Sequence, residues 1–384
     1  MYFTGDEQIN DLLNRIGFKL QLNDSRKERA EKSYNALCEW IEKDEVYFNK
    51  YKLNFYAQGS YRTKTTVKPF YKEEFDLDFV MEANGAWNKE DPIVILENLE
   101  RRLKENGMYK GNTEQKRRCV RVNYANEFHI DILPAFPEDR YSLDERIKVP
   151  DRKIKNWTDS NPKGYSKWFD NCCNKVNREI FEQRVVSSVE PIPEAPPYEY
   201  IEPLRRAVQL IKRFRDVYYK DKSIDAPKSI IITTLAGKYY NGEDSEYKSI
   251  LNILKGISSS INKCNGKPMQ IFNPMNTKEK LSEIWDENSS LYSDFCKFIN
   301  YFYSRWISLM KLESFEEKAL ILQELFGETI SKNVITEQAQ YIDKIRRKNE
   351  LRIDSRNGRI ITLSEKEKAE KTLRVVPKNT FYGE

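Results

Sequence analysis

Apolar residues recur at near-helical spacing through residues 6–50, at Leu12, Leu13, Ile16 and Leu20 and again at Ala36, Leu37, Trp40 and Ile41. The period then shortens. Phe55 to Ser60 reads as a strand entering a turn, and Phe75 to Met81 as a second strand. Asp91 as cap, Pro92 at the first helical position and Gly107 at the end bracket a helix running to about Asn106. Cys119–Tyr124 and Phe128–Leu133 both alternate apolar and polar residues, and the short link Ala125-Asn126-Glu127 predicts a hairpin. Prolines at 191, 193, 196, 197 and 203 cannot sustain a helix and predict a semi-stiff connector. Beyond it, Leu204–Tyr219, Ser229–Tyr240, Thr277–Asp286 and Leu291–Lys311 read as helices. From about Ile342 the chain is dense in Lys, Arg and Glu and is expected to be solvated.

This pattern predicts an α+β protein with a strand-bearing unit over 1–190, a connector over 191–203, a helical domain over 204–340 and a charged C-terminal segment over 341–384. The length of 384 residues agrees, being long for a single core. Hydrophobic residues make up 39% of the chain, enough for cores, while 33% charged residues and a mean hydropathy of −0.76 describe a wet surface. No apolar run approaches the roughly 18–20 residues of a membrane span, and the first residues lack the pattern of a secretory signal. Six cysteines without C-x-x-C spacing, beside one histidine, argue against structural zinc and for free thiols in a reducing cytoplasm. A net charge of +5 is too mild to call for a long nucleic acid and suits a small anionic substrate.

Residues 58–79, QGSYRTKTTVKPFYKEEFDLDF, concentrate the chemistry. Strand side chains alternate faces, so Asp76 and Asp78 point one way and Phe75, Leu77 and Phe79 the other. Two carboxylates side by side repel unless a cation sits between them, and hard divalent ions prefer such oxygen pairs. The Gly59-Ser60 turn upstream can hold phosphate oxygens with backbone N–H groups and a hydroxyl. A lone D-x-D is ordinarily a solvated strand face. Here a second apolar strand, Phe128-His129-Ile130-Asp131-Ile132-Leu133, supplies a third carboxylate at Asp131. Three carboxylates around two Mg2+ ions, with Mn2+ able to substitute, suit an in-line phosphoryl displacement. His129 shares the face of Asp131 and reads as a supporting partner, and a single histidine argues against histidine-based nucleophilic catalysis.

The order G-S, long loop, D-x-D, then Asp131 between apolar residues resembles the polymerase-β-type nucleotidyltransferase superfamily. More closely, Gln58–Thr66 and Glu74–Met81 resemble the bacterial cGAS/DncV-like nucleotidyltransferases (CD-NTases), which make cyclic oligonucleotide messengers in anti-phage (CBASS) operons. Ser160–Tyr165 with Trp168-Phe169, the basic helix Leu204–Asp216, Pro227-Lys228-Ser229, and Asn273-Pro274 with Leu281 and Trp285 match the same family in order. The resemblance spans roughly residues 50–290. It implies a polymerase-β-like core with a mostly helical second domain, bilobed, the active site in the cleft.

By position, the resemblance implies that Gln58, Gly59 and Ser60 bind the donor nucleotide, the last two at its β- and γ-phosphates. Asp76, Asp78 and Asp131 hold the two metals, with Asp131 activating the attacking ribose hydroxyl. Lys212 pairs with the triphosphate, or else belongs with Arg213 to a solvated charged stripe. Ser229 hydrogen-bonds the triphosphate, or else only caps its helix. The implied activity is synthesis of a cyclic di- or trinucleotide from NTPs, ATP foremost, with release of pyrophosphate by a cytoplasmic monomer. Alternatives are nucleotide transfer to an RNA 3′ end or a protein hydroxyl, and a nucleotide-binding pseudoenzyme. Where some relatives place an aromatic beside the phosphate-binding serine, this chain has Ile230, and it lacks the cysteine/histidine insertion of animal DNA sensors. The apolar, aromatic end, Arg374–Glu384, either packs on the body or docks an operon-encoded regulator.

Overall fold

The computed structural model describes residues 2–3, 5–70, 74–124, 127–176, 201–312 and 314–347, together with strands at 351–354, 360–362 and 373–375. After β1 (Tyr2–Phe3), the apolar period of residues 6–50 resolves into two helices with different allegiances. The first, α1 (Gly5–Lys19), buries Ile9, Leu12, Leu13 and Ile16 in the core of the later helices. The second, α2 (Asp24–Glu42), is capped by the Asn23 side chain and buries Ala30, Leu37 and Ile41 in a second core, behind the sheet. The turn at Leu20–Asp24 is where the chain changes lobes, Leu20 being buried in the first core and Leu22 in the second, so the helical unit takes in α1 although sequence order groups it with the strands.

The strands that follow are β2 (Leu53–Ala57), β3 (Phe75–Ala83), β4 (Thr113–Gln115), β5 (Val120–Tyr124), β6 (Phe128–Pro137), β7 (Ile147–Asp151) and β8 (Asn156–Ser160). They form one seven-stranded sheet in the order β2-β3-β6-β5-β4, with β7 joining β6 to β8. β3 and β6 run parallel at its centre; the pairs β2–β3 and β5–β6 are antiparallel. Between β2 and β3 lies the four-residue helix α3 (Gly59–Arg62). Between β3 and β4 runs α4 (Pro92–Glu105), started by Asp91, whose carboxylate accepts from the N–H groups of Ile93 and Val94. Phe75, Leu77, Phe79, Phe128, Ile130 and Ile132 are buried between the sheet and α2 and α4. Each such side chain contributes roughly 1.5–3 kcal/mol. That burial fixes the register of β3 against β6, because a one-residue slip would expose the whole set.

The remaining elements are α5 (Pro162–Cys173), α6 (Pro203–Tyr219), α7 (Ser229–Tyr239), α8 (Glu246–Lys263), β9 (Phe272–Asn273), β10 (Asn276–Lys280), α9 (Glu283–Glu287), α10 (Ser289–Lys311), α11 (Phe315–Phe326) and α12 (Glu328–Arg347). Among these, α6 is buried almost all round, with Leu204, Ala207, Val208, Leu210, Ile211 and Phe214 in the core and Arg205, Arg206, Lys212 and Arg213 buried as well. The solvated-stripe reading of Lys212 and Arg213 is therefore set aside. Two segments differ from expectation. The predicted helix over Thr277–Asp286 is instead the β9–β10 hairpin and the short α9. Glu279 on β10 is half-buried and accepts from Ser160, Asn161 and Asn273, an arrangement a helix would break. The helix α8, with Ile250, Ile253, Leu254 and Ile257 buried, was not anticipated.

The proline-rich connector falls mostly outside the described residues; its last proline, Pro203, opens α6. Strands β11 (Leu351–Asp354), β12 (Ile360–Thr362) and β13 (Leu373–Val375) join β1 in a four-stranded sheet ordered β1-β12-β11-β13. Of the segment expected to be solvated, residues 342–347 close α12 and the three strands are paired in this sheet, while residues 376–384 of the tail lie outside the described residues. Among the described residues, no helix is long and apolar enough to cross a membrane.

Candidate active site

In the parallel pair of β3 and β6, Asp78 stands directly opposite Asp131, and Asp76 opposite His129. Alternation puts all three aspartates on the sheet face away from Phe75, Leu77 and Phe79, as the sequence pattern required. Asp76 is exposed, while Asp78 is half-buried and Asp131 mostly buried. Burial first, and then the nearby Asp131 and Asp76 charges, push the Asp78 carboxyl up to about 7. The Arg121 and Lys212 charges oppose that shift without cancelling it.

Among the described residues, the cation that forms ion pairs within this acidic cluster is Arg121. Arg121 on β5 lies opposite Asp131 in the antiparallel register, and its guanidinium meets that carboxylate with both arms, Nε to Oδ1 at 2.7 Å and Nη2 to Oδ2 at 2.8 Å. The same Nη2 is 3.2 Å from Oδ1 of Asp76. Hydrogen bonding to Asp131 raises the Arg121 pKa further. The Cys119 thiol, two residues earlier, sits beside Asp131; burial and the Asp131 and Asp78 charges hold it well above its usual range. His129 pairs instead with Glu74, its Nε2 2.9 Å from that carboxylate.

The Gly-Ser turn abuts the same carboxylates. The backbone N–H of Gln58 donates to the Asp78 carbonyl at 2.8 Å, and Gly59 has φ of +59°. A Cβ at Gly59 would collide with the Asp78 carboxylate, 3.2 Å from its Cγ. Both facts call for glycine. The Ser60 hydroxyl is 3.2 Å from that of Thr66, and the Ser60 carbonyl accepts from Thr65 N–H at 2.9 Å. The loop after α3 is then fastened to α6. Arg205 donates to the Thr63 carbonyl, Gln209 to the Thr66 carbonyl at 3.2 Å, and Lys212 Nζ to the Thr65 carbonyl at 3.0 Å and its hydroxyl at 3.2 Å. Burial first, with the Arg215 charge added, pushes the Lys212 ammonium down to about 7.

Ser229 is the first residue of α7, and Lys228, not Ser229, is the N-cap residue. The Ser229 hydroxyl accepts a hydrogen bond from Arg215, which also holds Asp216. The capping reading is therefore corrected: an α7 start at Ser229 leaves its side chain free of that task. Between the two lobes, Arg117 and Arg118 of the strand lobe grip the fully buried Asp151 and reach Glu283 of α9 in the helical lobe. Lys228 lies 4.0 Å from the same Glu283.

The donor set fits a hard divalent cation: oxygen ligands only, three carboxylates on one face, and an Asp78 whose charge is poorly compensated. Among the described residues no group of three acidic, histidine or cysteine side chains is already disposed around a metal position. Arg121 accounts for this, since it holds Asp131 and Asp76 around its own guanidinium. Arg121, Arg205, Gln209 and Arg215 were not singled out from the sequence. Arg121 alone carried a signal, because the hairpin linking Tyr124 to Phe128 puts residue 121 opposite 131.

Residues 7–173 match the family described as the Second Messenger Oligonucleotide or Dinucleotide Synthetase domain. The chain is 34% identical over 378 residues to a c-di-GMP synthase of Roseivirga ehrenbergii, covering 98% of each. Its fold is like that of the CD-NTase CdnG of Bradyrhizobium diazoefficiens, solved with GTP, at a TM-score of 0.70 and 19% identity, covering 86% of this chain and 99% of that one. It is also like the cyclic AMP-GMP synthase DncV of Vibrio cholerae, solved with a linear intermediate, at a TM-score of 0.58 and 16% identity, covering 82% and 94% of the two chains. With near full-length identity of this order to a cyclic dinucleotide synthase, the chain belongs to the bacterial CD-NTases, nucleotidyltransferases that build cyclic oligonucleotides.

Proposed function

We propose that this enzyme joins two purine nucleoside triphosphates into a cyclic dinucleotide, using GTP as one substrate or both. The observation that carries the reading is the β3–β6 register, which sets Asp78 against Asp131 with Asp76 on the same face and Gly59 pressed against Asp78. A relative spanning the whole chain is named for c-di-GMP, which supports GTP beside or in place of the ATP expected from sequence.

In this reading Asp76, Asp78 and Asp131 hold two divalent ions, Mg2+ or Mn2+, which supply charge neutralisation for the triphosphate and the attacking oxygen. The turn Gln58-Gly59-Ser60 receives the donor's β- and γ-phosphates on backbone N–H groups and the Ser60 hydroxyl. Lys212 braces that turn through Thr65 and adds positive charge beneath it. Ser229, presented by Arg215, offers a hydroxyl to the same phosphates from the helical lobe. A ribose hydroxyl of the acceptor forms a new O–P bond at the donor α-phosphorus as the bond to pyrophosphate breaks; Asp131 draws the hydroxyl proton. Repetition within the linear product closes the ring. The C-terminal tail is the segment we assign to a regulatory partner, on its composition alone.

The experiment is incubation of the full chain with labelled GTP, ATP or both and Mg2+ or Mn2+, followed by phosphatase and mass spectrometry. A phosphatase-resistant cyclic dinucleotide containing guanine is expected, and chelation with EDTA removes it. Label on RNA or protein instead, or no incorporation, overturns the reading.

A further inference from the structure

Both oxygens of the Asp131 carboxylate are already taken by Arg121, through two bonds of 2.7 and 2.8 Å, and the guanidinium extends to Asp76 at 3.2 Å. We propose that Arg121 is an internal counter-ion that competes with divalent cations for Asp131 and Asp76, so that the enzyme engages metal only when Arg121 is drawn away by a polyphosphate. The proposal rests on the three-aspartate reading above and deepens it.

The chemistry of the pair sets the terms. A bidentate guanidinium–carboxylate pair is among the stronger side-chain contacts and is geometrically exacting. Asp131 and Arg121 are mostly buried, with side chains 13% and 23% exposed, so water screens their bond little. A hard cation that takes an Asp131 oxygen must break at least one arm of that fork. The position of Arg121 is not adjustable by small shifts. It is fixed across the β5–β6 ladder opposite Asp131, between the buried neighbours Val120 and Val122. Its long side chain, by contrast, can rotate about its own stem.

Asp78 shares the sheet face of Asp76 and Asp131, yet Arg121 makes no hydrogen bond or ion pair to it among those described. The internal cation therefore pairs directly with two of the three carboxylates and not with the third. A bare cation gains Asp78 but must displace a guanidinium. A cation arriving with a triphosphate brings anionic oxygens that can accept the displaced guanidinium, so the exchange costs much less. The consequence is order: free metal binds weakly, and metal with nucleotide binds well. An enzyme so built does not carry loaded metal in idle periods.

The test is a Mn2+ titration of the full chain by electron paramagnetic resonance, with and without a non-hydrolysable GTP analogue, on the wild type, Arg121→Gln, Arg121→Lys and Asp76→Asn/Asp78→Asn. Arg121→Gln removes the competitor and is expected to bind Mn2+ without nucleotide about tenfold or more tightly than the wild type. Arg121→Lys keeps the charge without the fork and is expected to fall between the two. The nucleotide-induced gain in Mn2+ affinity should shrink in the same order. Equal or weaker Mn2+ binding by folded Arg121→Gln overturns the proposal, making Arg121 a positioning residue for Asp131. Should Arg121→Gln fail to fold, Arg121→Lys decides by the same criterion. Failure of the three-aspartate reading looks different: wild type and the double aspartate variant would then bind Mn2+ alike, with or without the analogue.

Discussion

Gly59 and the carboxylate of Asp78 touch so closely that residue 59 has no room for a side chain, the Cγ of Asp78 lying 3.2 Å from where a Cβ would be. The turn at Gly59 and the strand that carries Asp78 are thereby a single packed unit. Gly59→Ala must adopt a φ of +59°, at a cost of about 1–2 kcal/mol, and also push the Asp78 carboxylate aside. We expect product formation to fall about a hundredfold or more, while the melting temperature drops by only about 2–6 °C. Activity and calorimetry on the same preparation check this; unaffected turnover would show that the turn and Asp78 act independently.

Asp76→Asn with Asp78→Asn is expected to abolish cyclic product without unfolding the protein. The sign of the pH dependence follows from Asp78. Its folded pKa of about 7 lies above the ordinary 3.8, so the stability linked to it is full below about pH 4 and is lost as pH rises toward 7. Asp78→Asn never ionises and escapes that loss. Its melting temperature should exceed that of the wild type by about 2 °C or more at pH 8, and the difference should vanish near pH 4.

Lys212 titrates in the opposite sense. Burial holds its ammonium down to about 7, so the charge beneath the phosphate turn disappears as pH rises beyond that value. The KM for nucleotide in the wild type should climb more than about tenfold between pH 7 and pH 9. In Lys212→Met the alkaline limb should be absent and KM uniformly high. Steady-state kinetics across pH decide it, and an unchanged alkaline limb in Lys212→Met would remove Lys212 from substrate binding.

The ion pairs that join the two lobes offer a contrast in burial. Asp151 is fully buried between Arg117 and Arg118, whereas Glu283 is 28% exposed. Asp151→Asn leaves two guanidinium groups without their buried partner and should cost about 2–3 kcal/mol. Glu283→Gln should cost less than about 1 kcal/mol. Thermal melts in matched buffer rank the two, and an equal loss would show that the contact between lobes, rather than burial, carries the stability.

Much of the site was legible because alternation along a strand is a strict rule. Asp76, Asp78 and Asp131 fall on one face as soon as Phe75, Leu77, Ile130 and Ile132 are granted a core. The partner of Asp131 was legible in principle, for a hairpin turning between Tyr124 and Phe128 sets Arg121 across from it. Other features lay beyond local pattern. Thr277 to Lys280 is rich in good helix formers, yet tertiary contacts of Glu279 with Ser160 and Asn273 hold it as a strand. That α1 joins the helical core while α2 covers the sheet depends on packing partners hundreds of residues away, which periodicity cannot name.

The stretch from Thr63 to Thr66 belongs to the strand lobe by sequence but is moored to the long basic helix of the other lobe through Arg205, Gln209 and Lys212. A cradle tied at its far end to an opposing jaw cannot keep its shape when the jaws part. Any relative motion of the two lobes would therefore reshape this loop as well, and on the proposed reading that couples the lobes' movement to the hold on the nucleotide's tail.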